Sequence, residues 1–160
     1  MPFTESVTFD FGDLGKSTHE YFNITAPVGN GMLNNRGDVM IIQALVNYIC
    51  TNKSTQSISG MDARYMPTVN GLFDQKTAEA IHDFQYFNSA LLLHADGKVH
   101  PGSFNNRVLK GGPPYMTITL LNDRAREANR LNNGEWAHIG PIVQRYPQLG
   151  AVFVATLLSE

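Results

Sequence analysis

The sequence predicts a mainly α fold, with a short β-ribbon in front of it and a helical extension behind. Three observations carry this expectation. Apolar residues recur at helical spacing in separate stretches beginning at Val39, Ala78 and Ile118. Residues 1–29 read instead as β or irregular, with an apolar/polar alternation over Val7-Thr8-Phe9-Asp10-Phe11. Finally, the chain says nearly the same thing twice: Asn70-Gly71-Leu72-Phe73-Asp74-Gln75-Lys76-Thr77 is echoed by Asp96-Gly97-Lys98-Val99-His100-Pro101-Gly102-Ser103. Asn-Gly and Asp-Gly mark tight turns, because Gly accepts φ > 0 and the Asx side chain bonds its own backbone.

Each element follows in order. Val7 to Phe11 forms a half-buried strand, Gly12-Asp13 a turn, and Tyr21-Phe22-Asn23-Ile24-Thr25 a partner strand closed by Pro27. A two-stranded ribbon is marginal alone, so it lies against the helical body. Asp38 serves as N-cap of a first helix whose apolar face is Val39, Ile42, Leu45, Val46 and Ile49, ending near Thr51-Asn52. Residues 53–68 make a long polar loop in which Tyr65 and Met66 either cover a groove beside the first turn or fill packing space. Asp74 caps a second helix over Gln75 to Asn88, with Ala78, Ile81, Phe84 and Phe87 inward. A short third helix is expected around Phe104 to Leu109, before the Gly111-Gly112-Pro113-Pro114 linker. Beyond it, Ile118, Leu121, Ala125, Ala128 and Leu131 outline an amphipathic helix stopped by Asn132-Asn133-Gly134. Ala137 to Tyr146 reads as a short helix with Pro141 in its first turn, and Leu149 to Leu158 as a buried helix or strand.

Composition sets the outer limits. With 160 residues, 42% of them apolar and 16% charged, the chain builds a folded core. A net charge of −2 without any Lys/Arg run argues against an electrostatic grip on nucleic acid or anionic lipid. The single cysteine, Cys50, excludes an intrachain disulfide and a cysteine metal cluster, and its place on the first helix makes it a packed thiol. Neither a signal peptide nor a membrane-spanning apolar run is visible.

The paired turns and their flanking helices carry a resemblance. Asn70-Gly71-x-Phe73-x-x-x-Thr77-x-x-Ala80-Ile81-x-x-Phe84-Gln85, followed by Asp96-Gly97-x-Val99-x-Pro101, resembles the peptidoglycan-binding-like domain family. Upstream, the stretch from Arg36 to Asn47 looks like that family's first helix. The resemblance spans about residues 30–110, with Asn70 in place of the usual Asp and with Asp74 and His100 where the family often has Gly. It implies a three-helix bundle over 30–110; the residues outside it read as a 1–29 β or irregular extension and a 115–160 helical extension packed on the same body.

The resemblance also implies a function: a non-catalytic module recognising peptidoglycan or its stem peptide, with no cofactor. The ligand-binding candidates are Asn70, Asp96, Lys98, His100, Tyr65 and Arg36, with Tyr86 a plausible neighbour. Asn/Asp side chains, turn amides and aromatic faces suit a sugar or peptide held in a shallow groove. Turn chemistry also explains Asn70 and Asp96 without any ligand. The location follows the ligand: periplasm or cell wall if peptidoglycan, cytoplasm or non-classical export if not. The alternative function is a protein–protein interaction or accessory protein, of a secretion system or phage, using the C-terminal extension. A third reading, a zinc-dependent wall hydrolase, rests on Ser17-Thr18-His19 and Glu135-Trp136-Ala137-His138, but Ser17-Thr18-His19 lacks the downstream Gly and Asp that would complete the upstream motif.

Overall fold

In the computed structural model, which describes residues 3–51, 60–104 and 108–150, the chain opens as a hairpin. Strand β1 (Phe3–Asp10) pairs antiparallel with β2 (Lys16–Asn23), in a register running from Phe3 opposite Asn23 to Asp10 opposite Lys16. A single 3-10 turn, Gly12–Leu14, joins them. The period-2 pattern sorts the side chains as expected: Val7, Phe9 and Tyr21 are buried, while the Thr8 and Thr18 hydroxyls bond each other at 2.8 Å on the solvent face.

Helix α1 (Arg36–Thr51) is buried on nearly all sides, because α2 (Gln75–Phe87), α3 (Thr117–Asn133) and α4 (Ile139–Arg145) all lie against it. Asp74 caps α2 through Oδ1, which accepts from Thr77 N at 2.8 Å. Gly134 ends α3 in the left-handed conformation at φ 76°, and Pro141 sits in the first turn of α4. One continuous core runs from Val7 on β1 to Leu149, so the C-terminal helices and the hairpin share the interior with α1 and α2. The apolar segment at 151–158, the loop at 53–59 and residues 105–107 of the expected third helix lie outside the described residues.

Two expectations are corrected. The fold is mixed α/β, not a mainly α three-helix bundle, because the segment expected to form the third helix ends in a strand. β3 (Val108–Lys110) adds to β1 in parallel and makes a three-stranded sheet of order β2-β1-β3. The physical reason is backbone satisfaction. A six-residue helix leaves most of its terminal N–H and C=O groups without intrahelical partners, whereas the free edge of β1 offers partners at once. The pairing continues past β3, where Gly111 N donates to Asp10 O at 2.7 Å. Leu109 turns inward against the core, while Val108 and Lys110 face solvent.

Asp38 is the second correction. It lies inside the first turn of α1 and is fully buried, so it does not cap that helix. Its carboxylate accepts instead from Thr25 N (3.1 Å), Thr25 Oγ1 (2.9 Å) and Ala26 N (3.1 Å), pinning the chain that leaves β2. An Asp three residues into a helix looks like a cap in sequence. Only the approach of residues 25–26 gives it another task.

Candidate binding site

The two echoed turns are built alike, and each is held by a buried glutamine from the preceding helix. Gln43 of α1 accepts through Oε1 from Asn70 N (3.0 Å) and Gly71 N (2.8 Å). Its Nε2 donates to Leu72 O (2.9 Å), Thr77 Oγ1 (3.0 Å) and Asn70 Oδ1 (3.2 Å). Gln85 of α2 repeats the arrangement on the second turn. Its Oε1 accepts from Gly97 N (2.7 Å), and its Nε2 donates to Lys98 O (2.9 Å) and Thr117 Oγ1 (3.0 Å). In both cases a helix hands a primary amide to an Asx-Gly turn and to a threonine in the first turn of the next helix.

The turns themselves match too. Asn70 Oδ1 accepts from Leu72 N at 2.9 Å and Asp96 Oδ1 from Lys98 N at 3.0 Å, the Asx geometry expected of each. Gly71 and Gly97 take φ of 78° and 75°. At Gly71 the requirement is double, since an added Cβ would lie 2.5 Å from Arg36 Cγ and 2.9 Å from Arg36 O.

This geometry separates the six candidate residues. Arg36 and Asn70 belong to the first turn. Asp96, Lys98 and His100 line a groove of about 320 Å³ at the second, with His94, Leu93, Met116 and Thr117 completing its wall. His100 Nε2 stands 3.7 Å from Asp96 Oδ2. Burial pushes the Asp96 carboxyl up, but the amides of Lys98 and of Asp96 itself, with His100 alongside, leave it below the usual range. Tyr65 lies elsewhere, in a groove with Arg64, Gln75, Lys76, Glu79 and Asp83. There its ring meets Phe87 edge-on at 5.6 Å, and Arg64 is already engaged by Asp62 at 2.9 Å. Tyr86 is exposed and also rests on Phe87.

Asn70 and Asp96 are therefore occupied by turn building, whereas the side chains of Lys98 and His100 are not needed to hold their turn. The roles of Gln43 and Gln85 were the part sequence reasoning left unassigned. Their signal is a primary amide on an otherwise apolar helix face, preceding an Asx-Gly pair by 27 and 11 residues. No backbone pattern says which turn such an amide will meet.

A second polar cluster lies where the hairpin meets α3. The Tyr21 hydroxyl donates to the Asp123 carboxylate, and Arg126 stands 3.8 Å from the same carboxylate with its guanidinium over the Tyr21 ring. His19 and His138 flank that ring, at 6.1 and 5.8 Å between centroids. These are the two histidines of the zinc reading, yet among the described residues no three His, Cys, Asp or Glu side chains are grouped to hold a metal ion. Ser17 Oγ bonds His19 Nε2, but no carboxylate orients the other ring nitrogen among the described residues. The Cys50 thiol is buried and pushed up to about 12 by that burial, with Asp62 adding to it, far from a reactive thiolate.

This cluster sets a pH response. Burial first, then Arg126, lowers His138 to about 3 and His19 to about 4. Burial raises Asp123 to about 6 against the pull of Tyr21 and Arg126. Histidines with depressed folded values stabilise the fold above about pH 6.5, and that contribution is lost as pH falls toward their folded values. Asp123 works in the opposite sense between about pH 4 and 6, because its folded value is raised. Two histidines outweigh one carboxyl, so acidification from pH 7 to 4.5 is expected to lower Tm by roughly 5 to 10 °C. His138→Gln is expected to shrink that drop in a thermal melt series. An unchanged drop would remove His138 from the explanation.

Among the described residues, no helix is long and apolar enough to cross a membrane. Compared with family models, curated proteins and solved structures, the chain matches none.

Proposed function

We propose that the chain is a non-catalytic binding module whose ligand is cell-wall peptidoglycan or its stem peptide, held in the groove at the second turn. The observation that carries this reading is the pair of glutamine-clamped Asx-Gly turns. The second of them presents Lys98, His100, His94 and Asp96 beside the apolar side chains of Leu93 and Met116. A rigid turn with cationic, anionic and apolar groups on one rim suits a ligand carrying carboxylates, amines and aliphatic side chains together, as a stem peptide does. The resemblance over residues 30–110 supports the same choice, since the glutamines within its pattern are the ones that hold the turns.

The test is co-sedimentation with purified insoluble peptidoglycan. The natural chain is expected to bind saturably, and a Lys98→Ala/His100→Ala variant roughly tenfold or more weakly, through loss of two polar contacts worth about 1 kcal/mol each. Equal binding by both would move the site away from the second turn. No binding by the natural chain would reject the wall ligand.

A protein partner is the second reading, and one observation favours it. Leu14, Phe11 and Val108 are exposed together around the hairpin tip, Leu14 at 90%. If the wall ligand fails, Leu14→Asp is the substitution expected to abolish partner capture.

A further inference from the structure

The outer edge of β2 is open over a short, sharply bounded stretch. Phe11 N donates to Gly15 O at 2.9 Å, and the register sets Ser17, His19 and Tyr21 opposite Phe9, Val7 and Glu5, so the odd residues of β2 turn their backbone groups toward β1. Phe22 faces the other way: its N–H and C=O are both taken by the Asn122 side chain, at 2.9 Å each. By the same alternation Lys16, Thr18 and Glu20 direct N–H and C=O outward. Among the described residues no backbone group answers them. The hairpin turn closes this edge at Gly15 and Asn122 closes it at Phe22.

We propose that this edge pairs antiparallel with the same edge of a second copy, about a twofold axis at Thr18, joining two three-stranded sheets into one. Charge selects this occupant. An axis at Thr18 sets Lys16 opposite Glu20 of the other copy, and Glu20 opposite Lys16, while a parallel pairing in register would oppose like charges. Lys16 is exposed and has no carboxylate within 4.0 Å among the described residues. Glu20 is exposed as well, and its Oε1 accepts from Ser6 Oγ at 2.7 Å. The outward residues Lys16, Thr18 and Glu20 are the ones a twofold axis at Thr18 makes into hydrogen-bonded pairs, each exchanging two backbone bonds. The free edge therefore complements itself in both hydrogen bonding and charge.

Sedimentation equilibrium of the full chain, from micromolar to millimolar concentration, tests this. The natural chain is expected to form a dimer. Lys16→Glu or Glu20→Lys alone places like charges opposite each other twice per dimer and is expected to weaken it about tenfold or more. The Lys16→Glu/Glu20→Lys double variant restores opposite charges and is expected to restore the dimer. Thr18→Pro removes one outward N–H and the hydroxyl bond to Thr8, but leaves the backbone hydrogen bonds to β1 in place, and is expected to abolish the dimer. Circular dichroism confirms that each variant is folded. A chain that stays monomeric, a dimer indifferent to the single charge reversals, or a double variant that stays weak would each overturn the proposal.

Discussion

Replacing Gln43 with Leu is expected to lower the free energy of unfolding by about 3 to 5 kcal/mol, the largest effect of any single polar substitution considered for this chain. The side chain is fully buried and makes five hydrogen bonds, so its loss strands the buried Gly71 N and takes a protein partner from each of Asn70 N, Leu72 O and Thr77 Oγ1. Each buried group left unpaired costs about 1 to 3 kcal/mol. Leu conserves volume, so the loss reports hydrogen bonding and not a cavity. Urea denaturation measures it, with an unchanged m-value showing that the compactness of the end states is the same. Gln85→Leu is expected to cost less, because the Gly97 turn is only half-buried and water reaches part of it. A loss below about 1 kcal/mol for Gln43→Leu would mean that the first turn stands without its clamp.

Asn122→Ala comes next, with an expected loss of about 3 to 4 kcal/mol. This fully buried amide joins three elements. It accepts from Phe22 N, donates to Phe22 O and Ile118 O, each at 2.9 Å, and meets His138 Nε2 at 2.8 Å. Its removal takes from Phe22 both hydrogen bonds that Asn122 supplies, to its N–H and its C=O, inside the protein. It also strips the His138 ring, whose Nδ1 is already without a partner among the described residues, of its remaining side-chain hydrogen bond. Beyond the stability loss, amide exchange at Phe22 is expected to accelerate by more than the global destabilisation accounts for. Exchange that merely follows global stability would show that Asn122 contributes packing and does not staple the sheet to α3.

Both predictions fall on residues whose importance the chain does not announce. Gln43 sits in Ile41-Ile42-Gln43-Ala44-Leu45 and Asn122 in Leu120-Leu121-Asn122, each a polar residue within an apolar run. The anomaly is visible in the sequence, but its partner lies 27 or 100 positions away. The candidate site divides in the same way. The Asx-Gly turns were legible because their chemistry is confined to three or four consecutive residues. That Arg36 would pack on one turn, that Lys98 and His100 would line a groove with Met116, and that Tyr65 would join a different groove all depended on how helices pack.

What the sequence by itself determined is whatever is local. The alternation that makes β1 and β2, the periodicity of α1, α2 and α3, the Asp74 cap, the Gly134 stop and the two turns are each decided by residues within a few positions of one another. Tertiary structure alone decided that Val108–Lys110 extends a sheet instead of closing a bundle, and that Asp38 ties down residues 25–26 instead of capping its helix. The physical reason is the same in both. A backbone N–H or C=O must be satisfied by something, and where the local chain offers a short helix or a weak cap, a distant strand edge or buried carboxylate satisfies it better.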